Sequence, residues 1–161
     1  MNINKMWASS LVLITILLAF TPPTIAWSCH IGDGCLTSVE DLHFGTFGLS
    51  DNDAAYTIVL AADNTFVNSP QIIIGTDPQR GEYLIENLPP FTAPAIVITD
   101  TTINNGGNPP FSIDNYTHNN PVTDAGGNAT FLLGGTLTTT GTTAYYATGT
   151  YSGTMDITFT F

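Results

Sequence analysis

Positively charged side chains are almost absent from this chain. Its 161 residues include 2 Lys or Arg against 13 Asp or Glu, which gives a formal net charge of −11 at pH 7. A chain with so few cations cannot neutralise nucleic-acid phosphates, and anionic lipid headgroups repel it, so neither is an expected partner. Because only 9% of the residues are charged, the surface has to consist mainly of Thr, Asn, Ser and Gly. Such a surface, kept soluble by negative charge, suits an exported protein.

Sequence motifs of catalysis and cofactor binding are also missing. No G-x-S-x-G elbow is present, and the glycine pair at 134–135 is not followed by the Lys of a phosphate-binding loop. A carboxylate pair for glycoside hydrolysis stays open, because distances in space cannot be read from a sequence. Residues 51–53 (DND) leave calcium open, although the spaced oxygen ligands and closing Glu of a dedicated loop are missing. We therefore expect no enzymatic activity, no cofactor and no metal.

The start of the chain has the pattern of a secretory signal peptide. Lys5 precedes an apolar run at residues 11–20, and small residues lie before a cleavage point after Ala26. The run is shorter than the ~20 residues that a membrane-spanning helix needs, which disfavours an uncleaved anchor. A lipoprotein with Cys29 as the lipidated residue fits less well. Cleavage would leave 135 residues with one base and thirteen acids, a net charge of −12, and no membrane span.

Only two cysteines occur, and they lie close together in WSCHIGDGC. In an exported chain the expected pairing is a local disulfide between Cys29 and Cys35, with glycines between them that permit a tight ring. A metal site of these thiols with His30 is the alternative, and Asp33 is the only nearby fourth ligand. So small a ring would fix the N-terminal segment and add little to global stability.

After Cys35, no window of eleven residues has apolar positions at helical spacing. Short runs rich in Ile, Val, Thr, Tyr and Phe alternate instead with Gly/Pro/Asn/Asp turns. The predicted strands are residues 41–47, 55–62, 71–75, 82–86, 95–99, 129–133, 136–140, 144–148 and 151–161, and a shorter one lies at 111–116 within a long surface excursion. Strands at this spacing predict an all-β, antiparallel sandwich in one domain. The expected organisation is a signal peptide at 1–26, an N-terminal segment at 27–41 and the sandwich at 42–161.

The last predicted strand has the most regular alternation in the chain. Its apolar positions share one parity, and Thr, Ser and Asp fill the other. The apolar positions expected to face the core are Tyr151, Met155, Ile157, Phe159 and Phe161. A slip of one residue would expose all five, so the register of this strand is strongly determined. We expect it to be an integral strand suited to recognition by strand addition.

Four motifs together resemble a known family: LHFGTF at 42–47, DAGGNATF at 124–131, LGGTL at 133–137 and GTYSGT at 149–154. This pattern is similar to the bacterial exported family catalogued as domain of unknown function 4402, over residues 42–161. Spore-coat-protein-U-like domains and the pilins of chaperone–usher systems share the general pattern. The resemblance implies an immunoglobulin-like, pilin-like sandwich that lacks one strand. It also implies a periplasmic chaperone that binds the C-terminal strand, and neighbouring subunits that complete the fold.

The expected function is that of an exported, non-enzymatic structural or adhesive surface subunit, located in the periplasm, at the cell surface or outside the cell. One feature departs from the pilin pattern, because a Cys29–Cys35 ring could not lie flat as a donor strand in a neighbour. This feature speaks against polymerisation by donor-strand exchange and leaves a terminal, capping or self-completed subunit open. The alternative is a monomeric carbohydrate- or surface-binding module, in which Trp27, Tyr145 and Tyr146 would stack on sugars.

Overall fold

The computed structural model describes residues 12–18, 35–106, 109–142 and 145–160, and within these ranges the chain forms strands and no helix. All strand pairs are antiparallel. The strands are β1 (Val12–Leu18), β2 (Cys35–Glu40), β3 (Thr46–Leu49), β4 (Thr57–Leu60), β5 (Phe66–Asn68), β6 (Ile72–Thr76), β7 (Gly81–Glu86), β8 (Ala95–Ile98), β9 (Thr101–Ile103), β10 (Phe111–His118), β11 (Ala129–Thr138) and β12 (Gly153–Thr160).

The largest sheet contains seven strands in the order β2-β7-β11-β10-β9, with β4 added alongside β11 and β5 alongside β4. β11 is its central strand. The first half of β11 pairs with β7, from Ala129↔Ile85 to Leu133↔Gly81. The second half pairs with β4, from Gly135↔Leu60 to Thr138↔Thr57. The predicted strands at 129–133 and 136–140 are therefore one continuous strand that changes neighbour in the middle.

Two glycines mark the point at which β11 changes neighbour. A Cβ atom at Gly134 would lie 2.2 Å from the Leu60 carbonyl oxygen, and one at Gly135 would lie 3.1 Å from the Tyr116 ring. Any side chain at Gly134 would therefore push β4 away from β11, since real Cβ atoms do not approach a carbonyl so closely. The LGGTL motif thus has a structural cause, which is close backbone approach within the main sheet.

Two smaller sheets complete the fold. One has the order β1-β12-β8, and the other pairs β3 with β6. The three-stranded sheet adjoins the main sheet through a bridge between Ser152 and Asn104, whose backbone groups exchange two hydrogen bonds of 3.1 Å. β9 lies immediately before Asn104, so the start of β12 is held against the edge of the main sheet.

The core lies between these sheets. The largest fully buried side chains of the main sheet are Ile58, Leu60, Tyr83, Ile85, Ile113, Phe131, Leu133 and Leu137. Met155, Ile157 and Phe159 of β12 belong to the same buried cluster. The rings of Phe131 and Phe159 meet edge to face, with centroids 5.8 Å apart. Antiparallel sheets that share one apolar core are consistent with a β-sandwich, the architecture expected from the strand spacing.

Among the described residues, no helix is long and apolar enough to cross a bilayer. The predicted strand at 144–148 is wrong for residues 145–147, which have no regular secondary structure. The strand predicted inside the long excursion is present as β10, and its Phe111 and Ile113 are buried.

The C-terminal strand as candidate assembly site

β12 has one apolar face, as its alternation predicts. Met155 and Ile157 are completely buried and Phe159 is 4% exposed. At the alternate positions, Thr154 is exposed, and Asp156 and Thr158 are half-buried. At about 2 kcal/mol for each buried side chain, this face contributes on the order of 6 kcal/mol of gross apolar burial. β12 is therefore an integral part of the core.

β12 also has a neighbour on each edge. On one edge it pairs with β8, from Ile157↔Ile98 to Thr160↔Ala95. On the other edge it pairs with β1, from Val12↔Phe159 to Leu18↔Gly153. The strand thus lies in the middle of its sheet only because residues 12–18 cover its second edge. Those seven residues belong to the apolar run at 11–20, whose pattern predicts a signal peptide.

The two ends of the predicted assembly strand have different surroundings. Phe161 lies outside the described residues. Tyr151 precedes β12 and is half-buried in an aromatic cluster formed with Phe111 and Tyr146. Its ring meets that of Phe111 edge to face, with centroids 4.8 Å apart. Desolvation by burial is the main cause that raises the pKa of Tyr151. Tyr151 therefore stabilises the entry to the strand, whereas the strand itself begins at Gly153.

The entry to β12 is held against β9 by close backbone contact. A Cβ atom at Gly153 would lie 2.4 Å from the Thr102 carbonyl oxygen. The Thr101 hydroxyl donates a hydrogen bond to the Thr154 carbonyl oxygen. A glycine at 153 is thus required for β12 to approach the main sheet, which gives the GTYSGT motif a structural role.

The two tyrosines proposed for sugar stacking lie in different environments. Tyr146 stacks on Phe111 with centroids 4.2 Å apart and ring planes 9° apart. Its hydroxyl accepts a hydrogen bond from the Thr140 backbone N–H at 2.8 Å. Tyr145, in contrast, is 93% exposed. Tyr146 is therefore part of the aromatic cluster, and of the two tyrosines only Tyr145 is exposed enough to stack on a sugar. Trp27 lies outside the described residues.

The predicted disulfide lies outside the described residues, because Cys29 is not among them. The same holds for His30 and Asp33, which the alternative metal site would use. Cys35 supplies the first backbone position of β2, opposite Glu86. The segment after it is a strand of the main sheet, since β2 pairs with β7 along Leu36↔Ile85 and the following residues.

The acidic residues of the segment 51–53, where the sequence leaves calcium open, make local hydrogen bonds. Tyr56 donates a hydrogen bond to the Asp53 carboxylate, which is the main cause that raises the pKa of Tyr56 to about 12. Asp51 accepts a hydrogen bond of 2.7 Å from the Asn52 backbone N–H. Among the residues that the structure describes, no group of three or more His, Cys, Asp or Glu is arranged to hold a metal ion.

One small polar pocket lies at the edge of the main sheet. It has a volume of about 140 Å³ and is lined by Glu40, Asn64, Gln79, Arg80 and Glu82. The Arg80 guanidinium lies 3.5 Å from the Glu82 carboxylate and donates a hydrogen bond of 3.2 Å to the Ala62 carbonyl oxygen. The single arginine of the chain thus forms its ion pair and its hydrogen bond within the protein itself, at this open pocket.

Comparison with known proteins identifies the chain at the level of a family. No curated protein and no solved structure shows significant similarity to it. One family model matches residues 35–161, a range that begins with β2 and includes all later strands. The motifs quoted above all fall inside this range, and each of the four contains a glycine whose Cβ would lie within 2.4 Å of a backbone carbonyl oxygen: Gly45, Gly127, Gly134 and Gly153. The chain therefore belongs to the family described as Domain of unknown function (DUF4402).

Proposed function

We propose that this protein is an exported, non-enzymatic surface subunit with a pilin-like, immunoglobulin-like sandwich, and that it joins its partners by strand addition at the edge of β12. One observation carries the proposal. β12 supplies a buried face to the core, yet its outer edge is paired only with residues 12–18. Removal of a signal peptide that ends at Ala26 would take this strand away and turn β12 into an edge strand.

An open β12 edge would be a strong site for another chain. Its backbone N–H and C=O groups would lose their partners along seven residue pairs. Unpaired strand edges are templates for strand addition, in which backbone hydrogen bonds give affinity and alternate side chains give specificity. In an exported protein, the expected partners are a periplasmic chaperone and a neighbouring subunit.

The same chain is a poor donor of such a strand. The segment before β2 holds Cys29, and a disulfide to Cys35 would close it into a ring. A ring cannot pair along a neighbour's edge, whereas the β12 edge can still accept a strand. The proposed place of this protein in an assembly is therefore a terminal, capping or self-completed position, at the cell surface or in the periplasm.

Site-specific photo-crosslinking tests the proposal. A photoreactive residue at Thr158, which is half-buried on the outer face of β12, should capture a chaperone or a neighbouring subunit in cells that express the protein. The matched control is Thr130, an exposed residue of β11 in the other sheet. Equal capture at both positions, or none at Thr158, would contradict assembly through β12.

A sugar- or surface-binding module is the second candidate, and exposed aromatic side chains favour it. Tyr145 is 93% exposed and Phe91 is 74% exposed. Isolated aromatic rings at a surface can stack on the apolar face of a sugar. Glycan-array binding that is lost in Tyr145→Ala or Phe91→Ala, in the absence of any partner captured at Thr158, would support this function over assembly.

A further inference from the structure

Two loops lie side by side at one end of the main sheet. Residues 87–94 join β7 to β8, and residues 119–128 join β10 to β11. The Leu88 N–H donates a hydrogen bond of 3.1 Å to the Gly127 carbonyl oxygen, and the Phe91 N–H donates one of 3.1 Å to the Thr123 carbonyl oxygen. A Cβ atom at Gly127 would lie 2.1 Å from the Leu88 carbonyl oxygen, so only glycine permits this approach of the two backbones.

The buried hydroxyl of Thr123 adds further links between the loops. Thr123 is 2% exposed. Its hydroxyl donates a hydrogen bond of 2.7 Å to the Pro89 carbonyl oxygen and accepts one of 2.8 Å from the Thr92 backbone N–H. The Thr123 backbone N–H donates a third, of 3.0 Å, to the Thr92 carbonyl oxygen. These bonds fix the backbone on both sides of Phe91, and the prolines at 89 and 90 restrict it further.

Phe91 is held in a conformation that its own energetics do not favour. Its φ of 54° lies in the left-handed region, where a bulky residue is an outlier. Its ring is 74% exposed, so burial offsets little of this strain. Strained residues persist where the surrounding structure fixes them, and they cluster at ligand-binding sites. The exposed ring of Phe91 therefore points to a binding role outside its own fold.

The surroundings of Phe91 combine apolar surface with a carboxylate and no positive charge. Val122, on the neighbouring loop, is 58% exposed. Asp124 is exposed too, and its Oδ1 atom accepts hydrogen bonds from the Gly126 and Asn128 backbone N–H groups. Both bonds use one oxygen, which orients the carboxylate and leaves Oδ2 as an acceptor for a ligand. Neither loop contains Lys, Arg or His.

We propose that Phe91 and Asp124 form a binding site for uncharged sugar units. An exposed aromatic ring stacks on the C–H groups of a sugar, and an oriented carboxylate accepts hydrogen bonds from its hydroxyls. Acidic sugars are disfavoured, because no cation in either loop offsets the charge of Asp124. Thr123 is a positioning residue that holds Phe91 from a buried place. The ligand class rests on the sugar-binding function given above as the second candidate, and Phe91, not Tyr145, carries that function.

Binding of the full chain to a glycan array tests this site. The array presents uncharged oligosaccharides of hexose and N-acetylhexosamine units, and counterparts that end in a sugar carboxylate. The parent should bind uncharged members, and their acidic counterparts at least about 10-fold more weakly. Phe91→Trp should keep this binding, because it preserves an aromatic face. Tyr145→Ala, the matched control at an exposed aromatic residue outside the two loops, should bind like the parent.

Variants of the neighbouring loop separate ligand contact from positioning. Asp124→Asn keeps an oxygen for the turn and replaces the second oxygen by a donor, so binding should fall at least about 10-fold with an unchanged urea midpoint. Thr123→Ser retains the hydroxyl and should bind like the parent. Thr123→Val removes it and should bind at least about 10-fold more weakly at a temperature at which the variant is fully folded.

The strain at Phe91 gives a second readout, which does not depend on the glycan chosen. Asn adopts the left-handed conformation more readily than Phe does. Phe91→Asn should therefore leave the urea midpoint unchanged or raise it, while it lowers glycan binding at least about 10-fold. A lower midpoint for Phe91→Asn would show that the ring supports its own fold, and would overturn the proposal.

The remaining outcomes also decide against the site or for it. Binding to no uncharged glycan, or equal binding by the parent and Phe91→Asn, would overturn it. Vesicles of phosphatidylcholine are the second probe, because exposed Phe and Val side chains also suit a lipid surface. Adsorption to these vesicles that requires Phe91, without glycan binding, would overturn the sugar site. Capture of partners at Thr158, on β12, would stand in either case, so failure of this site and failure of assembly are distinguishable.

Discussion

Replacement of Ile157 by Ala gives the sharpest stability prediction. Ile157 is completely buried, at the centre of the face that β12 turns to the core. Truncation of a fully buried Ile removes its transfer free energy and leaves a cavity, which together cost about 2–5 kcal/mol. We expect about 4 kcal/mol, because the position lies between two paired strands that limit collapse into the space. This is a large fraction of the ~5–15 kcal/mol typical of a domain.

Urea unfolding of the full chain measures this loss. With a denaturant slope of about 2 kcal/mol/M, the midpoint should fall by about 2 M with no change in slope. Ile157→Val should cost about 1 kcal/mol, and the neighbouring Thr158→Ala, on the outer face, should stay within about 0.5 kcal/mol of the parent. Equal effects of Ile157→Ala and Thr158→Ala would refute the assignment of the buried face.

Two further predictions concern the main sheet. Gly134→Ala should destabilise the protein by about 1–3 kcal/mol, because its Cβ would meet a carbonyl oxygen of β4. The control Gly48→Ala has nothing within 4 Å of its Cβ and should be neutral in the same unfolding assay. Equal effects of the two substitutions would contradict the close approach of β4 to β11. Tyr83 is buried, and desolvation by burial is the main cause that raises its pKa. Its hydroxyl therefore ionises first in the unfolded chain, so stability should be constant below about pH 10 and fall above it by up to about 1.4 kcal/mol per pH unit for this group. Tyr83→Phe should have a shallower alkaline decline, and an identical decline would argue against the burial.

Most strands of the fold follow from local pattern. β4, β6, β7, β8, β10 and β12 all lie within a few residues of runs rich in β-branched and aromatic side chains. These runs combine high strand propensity with alternation, so their local preference agrees with their tertiary setting. The turn at residues 124–128 follows from the same logic, since Asp124 accepts hydrogen bonds from the Gly126 and Asn128 backbone N–H groups.

The strands that the sequence did not predict depend on their neighbours. β5 and β9 have three residues each, too few for a recognisable alternation, and each forms against a longer partner. β2 begins at Cys35, where the pattern indicated a ring and a linker. The glycine pair in β11 suggested a break, but glycine there serves close packing against β4. The conformation of these segments depends on tertiary contacts, which cannot be read from a single sequence.

The candidate site, too, could be predicted from the sequence only in part. The buried positions of β12 follow from parity alone, which predicted Met155, Ile157 and Phe159 correctly. Parity does not say which segment lies beside β12. The apolar run at residues 11–20 matched an export signal, and a signal and a strand can share one sequence because both need consecutive apolar residues.

Hydrogen exchange of the β12 amides in the full chain tests the central claim most directly. If β12 is an integral strand with partners on both edges, the amides of Gly153–Thr160 should be protected to a similar degree as those of Ala129–Thr138 in the main sheet. They should exchange far more slowly than the irregular residues 145–150, which precede them in the chain. Exchange of the β12 amides at the rate of residues 145–150 would contradict the account.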